Sequence, residues 1–336
     1  MFIPKRVIFE NDALNYPLGE ELLERFKSNS DIEIMYSKNG RITGIPGTNP
    51  SEKYLESKST LVVGVRKTLD FQSCKPSAHY QLPLVSGCMG MCEYCYLNTQ
   101  MGKKPYIKIH VNIEEILEKA QKYINERLPE ITIFEGAATS DPVPVEGYTG
   151  ALRTAIEYFG ENTNSKFRFV TKYNDIDGLL NLKHNGRTTI RFSINASEVI
   201  RKFEHNTSLL DDRLDAALKV SNAGYPLGFI IAPVFLYDSW KEDYNILMDK
   251  IDKLFIGKNL MFEVISHRFT KRAKDNILSI YPKSLLPMEE EIRKFKYGQF
   301  GYGKYVYKDE ELKNMKEFFK ERITKSFGEG AINYII

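Results

Sequence analysis

The sequence predicts an α/β protein built on a partial (β/α)6 barrel, open on one side, with an N-terminal α+β extension and a C-terminal region of helix and β-hairpin. Three observations predict it. Six apolar β-type runs alternate with helical patterns, the order required by a parallel sheet covered with crossover helices. At 336 residues and 42% hydrophobic content, the chain can bury one large α/β core and still carry appended regions. A loop with three cysteines follows the first β-type run, at a strand C-terminus, where barrel chemistry is placed.

Taken in order, residues 1–79 form the extension, with strand-like runs at 6–10, 32–36 and 60–65. The barrel occupies residues 80–270. Its first strand is expected over 80–86, delivering Gly87 and Cys88 at its end. A helix follows over 113–128, with Ile113, Ile116, Leu117, Ala120 and Ile124 on one face and Asn112 and Glu115 spaced as a capping box. Further strands are expected at 131–135, 166–171, 188–193, 227–231 and 260–265. A helix near 151–159 carries Leu152, Ala155, Ile156 and Phe159 at helical spacing. Another, over 209–222, ends at Gly224, where a left-handed cap is easy. Right-handed crossovers place all the strand ends on one rim. Residues 271–336 carry helical stretches near 288–295 and 310–323 around a segment rich in Gly and Tyr. No internal repeat or low-complexity linker interrupts the chain.

The formal charge of +3 neither demands nor excludes a nucleic-acid partner. Residues 1–10 lack the apolar core of a secretory signal, and no stretch has the apolar length of a membrane span, so the cytoplasm is the expected compartment. Three of only four cysteines are clustered, which argues against a disulfide framework. No heptad or long apolar stripe argues for assembly, so a monomer is expected.

Cys88, Cys92 and Cys95 form a Cys-x3-Cys-x2-Cys run. A closed zinc site takes four protein ligands, whereas three thiolates on one tight loop suit a [4Fe-4S] cluster with one iron left open. A zinc-stabilised nucleic-acid-binding module using all four cysteines is the contrasting reading. The spacing resembles the signature of the radical S-adenosylmethionine (SAM) superfamily. That resemblance implies an open iron that chelates the methionine part of SAM, and an electron, from a donor such as flavodoxin or ferredoxin, that releases a 5′-deoxyadenosyl radical. Tyr94, just before the last cysteine, fits the aromatic that packs near the adenine.

Ser140 follows the second predicted strand, Lys172 the third, and Ser193 ends the fourth. A cation and hydroxyls on that rim suit a carboxylate and a ribose. They could equally be helix caps and a solvated charge. Residues 296–308 interleave five aromatics with three lysines and three glycines. Such a segment can meet phosphates and stack on bases, or be an aromatic edge hairpin. A second basic cluster comprises His267, Arg268, Lys271, Arg272 and Lys274.

Six motifs together, SGCMGMCEYCYL (86–97), FEGAATSD (134–141), FVTKY (169–173), RFSIN (191–195), EVISHRFT (263–270) and FGYGKYVY (300–307), make most of the chain resemble the spore photoproduct lyase family. The resemblance implies that Tyr94, Ser140, Lys172, Ser193 and Ala232 contact SAM. It also implies that the hairpin opens damaged DNA, through Arg268, Lys271, Tyr302, Lys304 and Tyr305, in the spore core. The implied substrate is 5-thyminyl-5,6-dihydrothymine, the ultraviolet thymine dimer of dormant spores, and a poorly stacked lesion is cheap to extrude. Hydrogen abstraction at C6 breaks the methylene bridge and leaves a thymine-type radical that needs a hydrogen atom. In the family's better-known pattern a cysteine donates it from the motif that holds Ala138 here. The remaining thiol, Cys74, is the candidate donor, with Tyr96 and Tyr94 relaying the radical back toward the cofactor; an inert Cys74 is the alternative. A radical SAM reaction on another nucleic acid or a peptide is the other reading.

Overall fold

The run Arg6–Glu10 is buried at all five positions, as a strand covered on both faces must be. It pairs parallel with Glu33–Ser37 on one side and with Thr60–Gly64 on the other, and Ile107–His110 extends the same sheet. The three strands expected in the extension are therefore present. The structure is a computed structural model that describes residues 2–37, 40–75, 77–102, 104–298, 301 and 303–336. Its contacts divide the chain into two units: Met1–Met89 with Met101–Thr171 and Asp175–Thr189, and Gly90–Gln100 with Lys172–Asn174 and Ile190–Ile336.

In the first unit a second set of strands runs Ser73–Cys74, Ala78–Gln81, Thr132–Glu135 and Ser165–Thr171. The first pair is antiparallel and the others are parallel. Phe159, on the helix Ala151–Glu161, stacks on Phe167 at 5.3 Å and meets Phe134 at 5.2 Å, so helix and strands share one aromatic core. The strand expected over 80–86 is two pieces. Ala78–Gln81 pairs with Thr132–Glu135, whereas Val85–Ser86 pairs antiparallel with Ile107–His110 in the other sheet. The change of sheet falls at Pro83, which has no N–H to continue a ladder.

The helix Ile113–Arg127 buries the five apolar residues expected of it. The capping box does not form. Asn112 accepts the Arg66 N–H at 2.8 Å and donates to Arg66 O at 3.2 Å and to Glu115 at 2.8 Å, while Glu115 accepts the Tyr16 hydroxyl at 2.6 Å. Both side chains tie neighbouring segments together instead of capping the helix.

In the second unit, residues 190–194 of the strand Thr188–Ile194, then Leu227–Val234, Leu260–Ser266 and Ile332–Ile335, are successive parallel neighbours. The helix Leu210–Asn222 ends before Gly224, whose φ is +83°. Asp309–Phe327 is helical as expected, and Trp240–Phe255, Lys271–Ile280 and the strand Ile332–Ile335 are additions. The helix expected near 288–295 is absent. Arg293 is buried, with its guanidinium 3.6 Å from the Tyr307 ring and donating to Pro287 O at 2.9 Å. That burial turns the chain into the strand Lys294–Tyr297, which pairs antiparallel with Gly303–Val306 as the expected hairpin. Among the described residues no helix is long and apolar enough to cross a membrane.

Candidate active site

In the first unit, Thr132–Glu135 leads into a turn that carries the alanine and serine of the second motif. The turn starts at Gly136 because a Cβ there would lie 2.7 Å from the Phe167 ring. Gly87, at φ +80°, donates its N–H to Thr139 O at 3.0 Å and bridges to Ser140, fixing the approach to Cys88 beside that turn. Asp141 is buried and accepts the Thr171 hydroxyl at 2.9 and 3.0 Å, so it braces the turn.

A cavity of about 180 Å³ opens here, lined by Gln72, Gln81, Ser86, Ala138, Thr139 and Ser140 among others. Cys74 sits half-buried on an edge strand, opposite Ala78 and two residues from Gln72. Ala138 and Ser140 are thus in the cavity wall and Cys74 is on a segment that enters it. Ser86 Oγ lies 3.4 Å from Nε2 of His110. Burial, reinforced by the charges of Lys108 and Arg66, lowers the His110 pKa to about 3, so the imidazole is neutral.

The backbone of the cysteine loop is pinned by hydrogen bonds. In the first unit the buried Lys58 donates to Cys88 O at 2.7 Å. In the second, Met91–Cys92 pairs antiparallel with Glu204–His205, Asn98 donates to Cys92 O at 3.1 Å, and the Glu93 N–H donates to Phe203 O at 2.9 Å. The buried Glu93 carboxylate meets His205 at 2.8 Å and accepts from Ser284 at 2.5 Å. Cys92 is buried, Cys88 and Cys95 are half-buried, and no disulfide joins any of the four cysteines. Among the described residues no three His, Cys, Asp or Glu side chains are gathered as a ready-made metal centre. The donor set is nonetheless three thiols within eight residues, and thiolates are the ligands iron–sulfur clusters take.

Tyr94 and Lys172 come together on a residue that sequence reasoning missed. Lys172 Nζ lies 2.8 Å from Glu204 Oε1 and 3.0 Å from the Tyr94 hydroxyl, which itself donates to Glu204. Arg213, fully buried, donates to the other Glu204 oxygen at 2.7 Å and to Ser193 O at 2.8 Å. Burial alone would raise the Glu204 pKa, but the Lys172 and Arg213 charges overcome it and hold the carboxyl at about 2. Burial and the Glu204 charge push the Tyr94 phenol well above its usual range. One signal was readable: Arg213 falls on the apolar face of its helix with Leu210, Leu214 and Ala217, a position that demands a partner. Nothing in the sequence pointed to Glu204.

Ser193 is buried in its strand, and Ala232 is half-buried beside Pro233, whose carbonyl accepts from Asn195 at 2.8 Å. Tyr96 is 52% exposed. At the hairpin, Tyr305 exchanges backbone hydrogen bonds of 3.2 and 2.7 Å with Phe269, and their rings stack at 5.2 Å. Arg268 is exposed, and its charge lies close enough to Lys304 to lower the lysine's pKa, an effect second to desolvation. Lys271 and Tyr305 meet at Glu290. Tyr302 lies outside the described residues.

Comparison with known proteins gives one answer along the whole chain. The sequence profile of the family described as "Spore photoproduct lyase" matches residues 2–336. The curated spore photoproduct lyase of Clostridium acetobutylicum is 59% identical over 332 residues, covering 99% of this chain and 98% of that protein. The lyase of Bacillus subtilis is 49% identical over 337 residues, with the same coverage. Among solved structures, a spore photoproduct lyase complexed with dinucleoside spore photoproduct superposes with a TM-score of 0.95 at 48% identity, covering 100% of this chain and 99% of that one. A double mutant, cysteine to alanine and serine to cysteine, with bound AdoMet and the same dinucleoside, gives 0.95 at 49% and the same coverage. The fold is therefore a partial (β/α)6 barrel of radical SAM type with extensions, as the alternation of elements predicts. The chain is a lyase and belongs to the spore photoproduct lyase family.

Proposed function

We infer that the chain repairs 5-thyminyl-5,6-dihydrothymine in DNA to two thymines. The observation that carries this reading is the full-length agreement with lyases solved holding that lesion. Cys88, Cys92 and Cys95 would hold a [4Fe-4S] cluster, and Tyr94, Ser140, Lys172, Ser193 and Ala232 would contact SAM. What these groups supply when bound is a 5′-deoxyadenosyl radical able to take the C6 hydrogen of the lesion.

The chain's own residues then have three tasks. Gln72, Gln81 and Ser86 offer hydrogen-bonding groups in the cavity beside Ala138, where the imide edges of a thymine need partners. The neutral His110 orients the Ser86 hydroxyl. Cys74 gives its S–H hydrogen to the thymine radical, forming a C–H bond and a thiyl radical, with Tyr96 and Tyr94 relaying the radical back toward the cofactor. Support for Cys74 comes from the double mutant: its two exchanged positions are as far apart along the sequence as Cys74 and Ala138 are here, with the cysteine moved in the same direction. Arg268, Lys271, Lys304 and Tyr305, with Tyr302, would face the DNA. A flavodoxin or ferredoxin would serve as electron donor to a monomer in the spore core.

The test is anaerobic turnover of the dinucleoside lesion by the reconstituted enzyme with SAM and a chemical reductant. Wild-type protein should form the repaired dinucleoside. Cys74→Ala should still consume the lesion but lower the yield of repaired product at least tenfold in favour of misdirected thymine-radical products. An unchanged repaired yield in Cys74→Ala would remove Cys74 as donor, and no lesion consumption by the wild type would remove the repair reading.

A further inference from the structure

Three groups from two separate elements converge on one carboxylate beside the hairpin. Glu290 Oε1 lies 3.1 Å from Lys274 Nζ and 3.4 Å from Lys271 Nζ, and the Tyr305 hydroxyl stands near enough to the same side chain for the two to shift each other's ionisation. The lysines belong to the first turn of the helix Lys271–Ile280, and Tyr305 to the hairpin strand Gly303–Val306. Glu290 is itself anchored: its carbonyl accepts the Arg293 N–H at 3.1 Å, and the buried Arg293 also donates to His267 O at 3.2 Å.

Stability accounts for only part of this arrangement: the Lys274–Glu290 pair is half-covered, with side chains 24% and 21% exposed, but the Lys271 side chain is 67% exposed, and exposed ion pairs contribute roughly 0–1 kcal/mol. Lys271, Arg272 and Lys274 also crowd a helix N-terminus, where backbone N–H groups and the helix dipole disfavour cations and favour an anion. Such an end wants a negative group, and in the protein alone Glu290 is that group. A phosphodiester would satisfy the same lysines and the same helix end.

We propose that Glu290 is an intramolecular competitor for the DNA backbone, occupying Lys271, Lys274 and Tyr305 until a phosphate displaces it and thereby holding down affinity for duplex. The inference rests on the reading that this face meets DNA. Its value to a repair enzyme is kinetic. An unrestrained basic face would leave the enzyme bound to the vast excess of undamaged duplex, because backbone contacts supply nearly all non-specific affinity. The run Glu289, Glu290 and Glu291 directly before the basic hairpin strand keeps negative charge concentrated there, and Glu291 also acts on Tyr305 electrostatically.

The test compares wild type, Glu290→Gln, and Glu290→Gln combined with Lys271→Gln and Lys274→Gln, binding undamaged duplex across a salt series. Glu290→Gln should bind about 3- to 10-fold more tightly at low salt, with the logarithmic salt slope steeper by up to ~1. Removing both lysines should abolish that gain. Turnover of the dinucleoside lesion, which has no phosphodiester, should change less than twofold in Glu290→Gln. Unchanged duplex affinity and slope would overturn the proposal, as would a gain that survives loss of the lysines or a parallel collapse of dinucleoside turnover. Failure of the wild type to turn over the dinucleoside, with the duplex gain intact, would sink the repair reading while supporting this one.

Discussion

Glu204 shows how one side chain can organise a site without being visible beforehand. It is buried, lies opposite Cys92 in a strand pair, and holds Tyr94, Lys172 and Arg213. Two cations against one carboxylate make it the anion on which the others depend. Removing one member of a buried ion network leaves the remainder desolvated and unpaired, at a cost of about 3–5 kcal/mol. Glu204→Ala should lower unfolding free energy by that amount, read as a fall in the urea midpoint at unchanged slope; a loss below about 1 kcal/mol would show the network to be an incidental contact. The sequence marked Tyr94 and Lys172 through their motifs; Arg213 was not singled out, although its place on an apolar face was a readable signal. The sequence could not mark Glu204, because a glutamate between Phe203 and His205 looks like any loop residue until the strand Met91–Cys92 is seen to pair with it.

At the scale of elements, the barrel strands were readable because each is an apolar run of several residues followed by a helical pattern. What was hidden depended on contacts distant in sequence. Val85–Ser86 leaves one sheet for another after Pro83, and the segment before Lys294 turns on the burial of Arg293, which local periodicity opposes. The turn after Thr132–Glu135 gives the sharpest test of how tightly an element positions chemistry. Gly136 sits against Phe167, itself stacked on Phe159 in the aromatic core. A methyl group there cannot be accommodated without moving a packed ring or the turn, and overpacking costs about 1–3 kcal/mol. Gly136→Ala should therefore lose stability in that range and, because the same turn carries Ala138 and Ser140, reduce turnover of the lesion beyond what the lost stability explains. Normal kcat and KM in a folded Gly136→Ala variant would show that the turn has more tolerance than its packing indicates.

At the scale of the whole molecule, the chain has five histidines that composition treats alike, and burial shifts two of them furthest. His110 in the first unit and His267 in the second both have pKa values lowered from 6.5 to about 3, chiefly by desolvation, with Lys108 and Arg66 adding to the first and Arg293 to the second. Unfolded, each takes up a proton below about pH 6.5; folded, neither does until about pH 3. The stability they confer is complete above pH 6.5 and is lost as pH falls toward 3, at about 1.4 kcal/mol per pH unit for each histidine. Glu146 acts in the opposite direction. Burial raises its carboxyl to about 7 despite hydrogen bonds from the Leu152 and Arg153 N–H groups, so it binds a proton in the folded protein over the range from 7 down to 4.5 and gains stability as pH falls. Two histidines against one glutamate leave a net fall of about 1.4 kcal/mol per pH unit between pH 6.5 and 4.5, to which the less buried His79 adds in the same direction. Urea unfolding at several pH values should show this decline. His110→Gln with His267→Gln should remove about 2.7 kcal/mol per pH unit from the slope, enough to reverse its sign and leave the Glu146 contribution exposed. A flat wild-type profile across that window, or a double variant with the wild-type slope, would mean that the imidazoles take up protons in the folded protein, and that neither unit keeps its buried histidine dry.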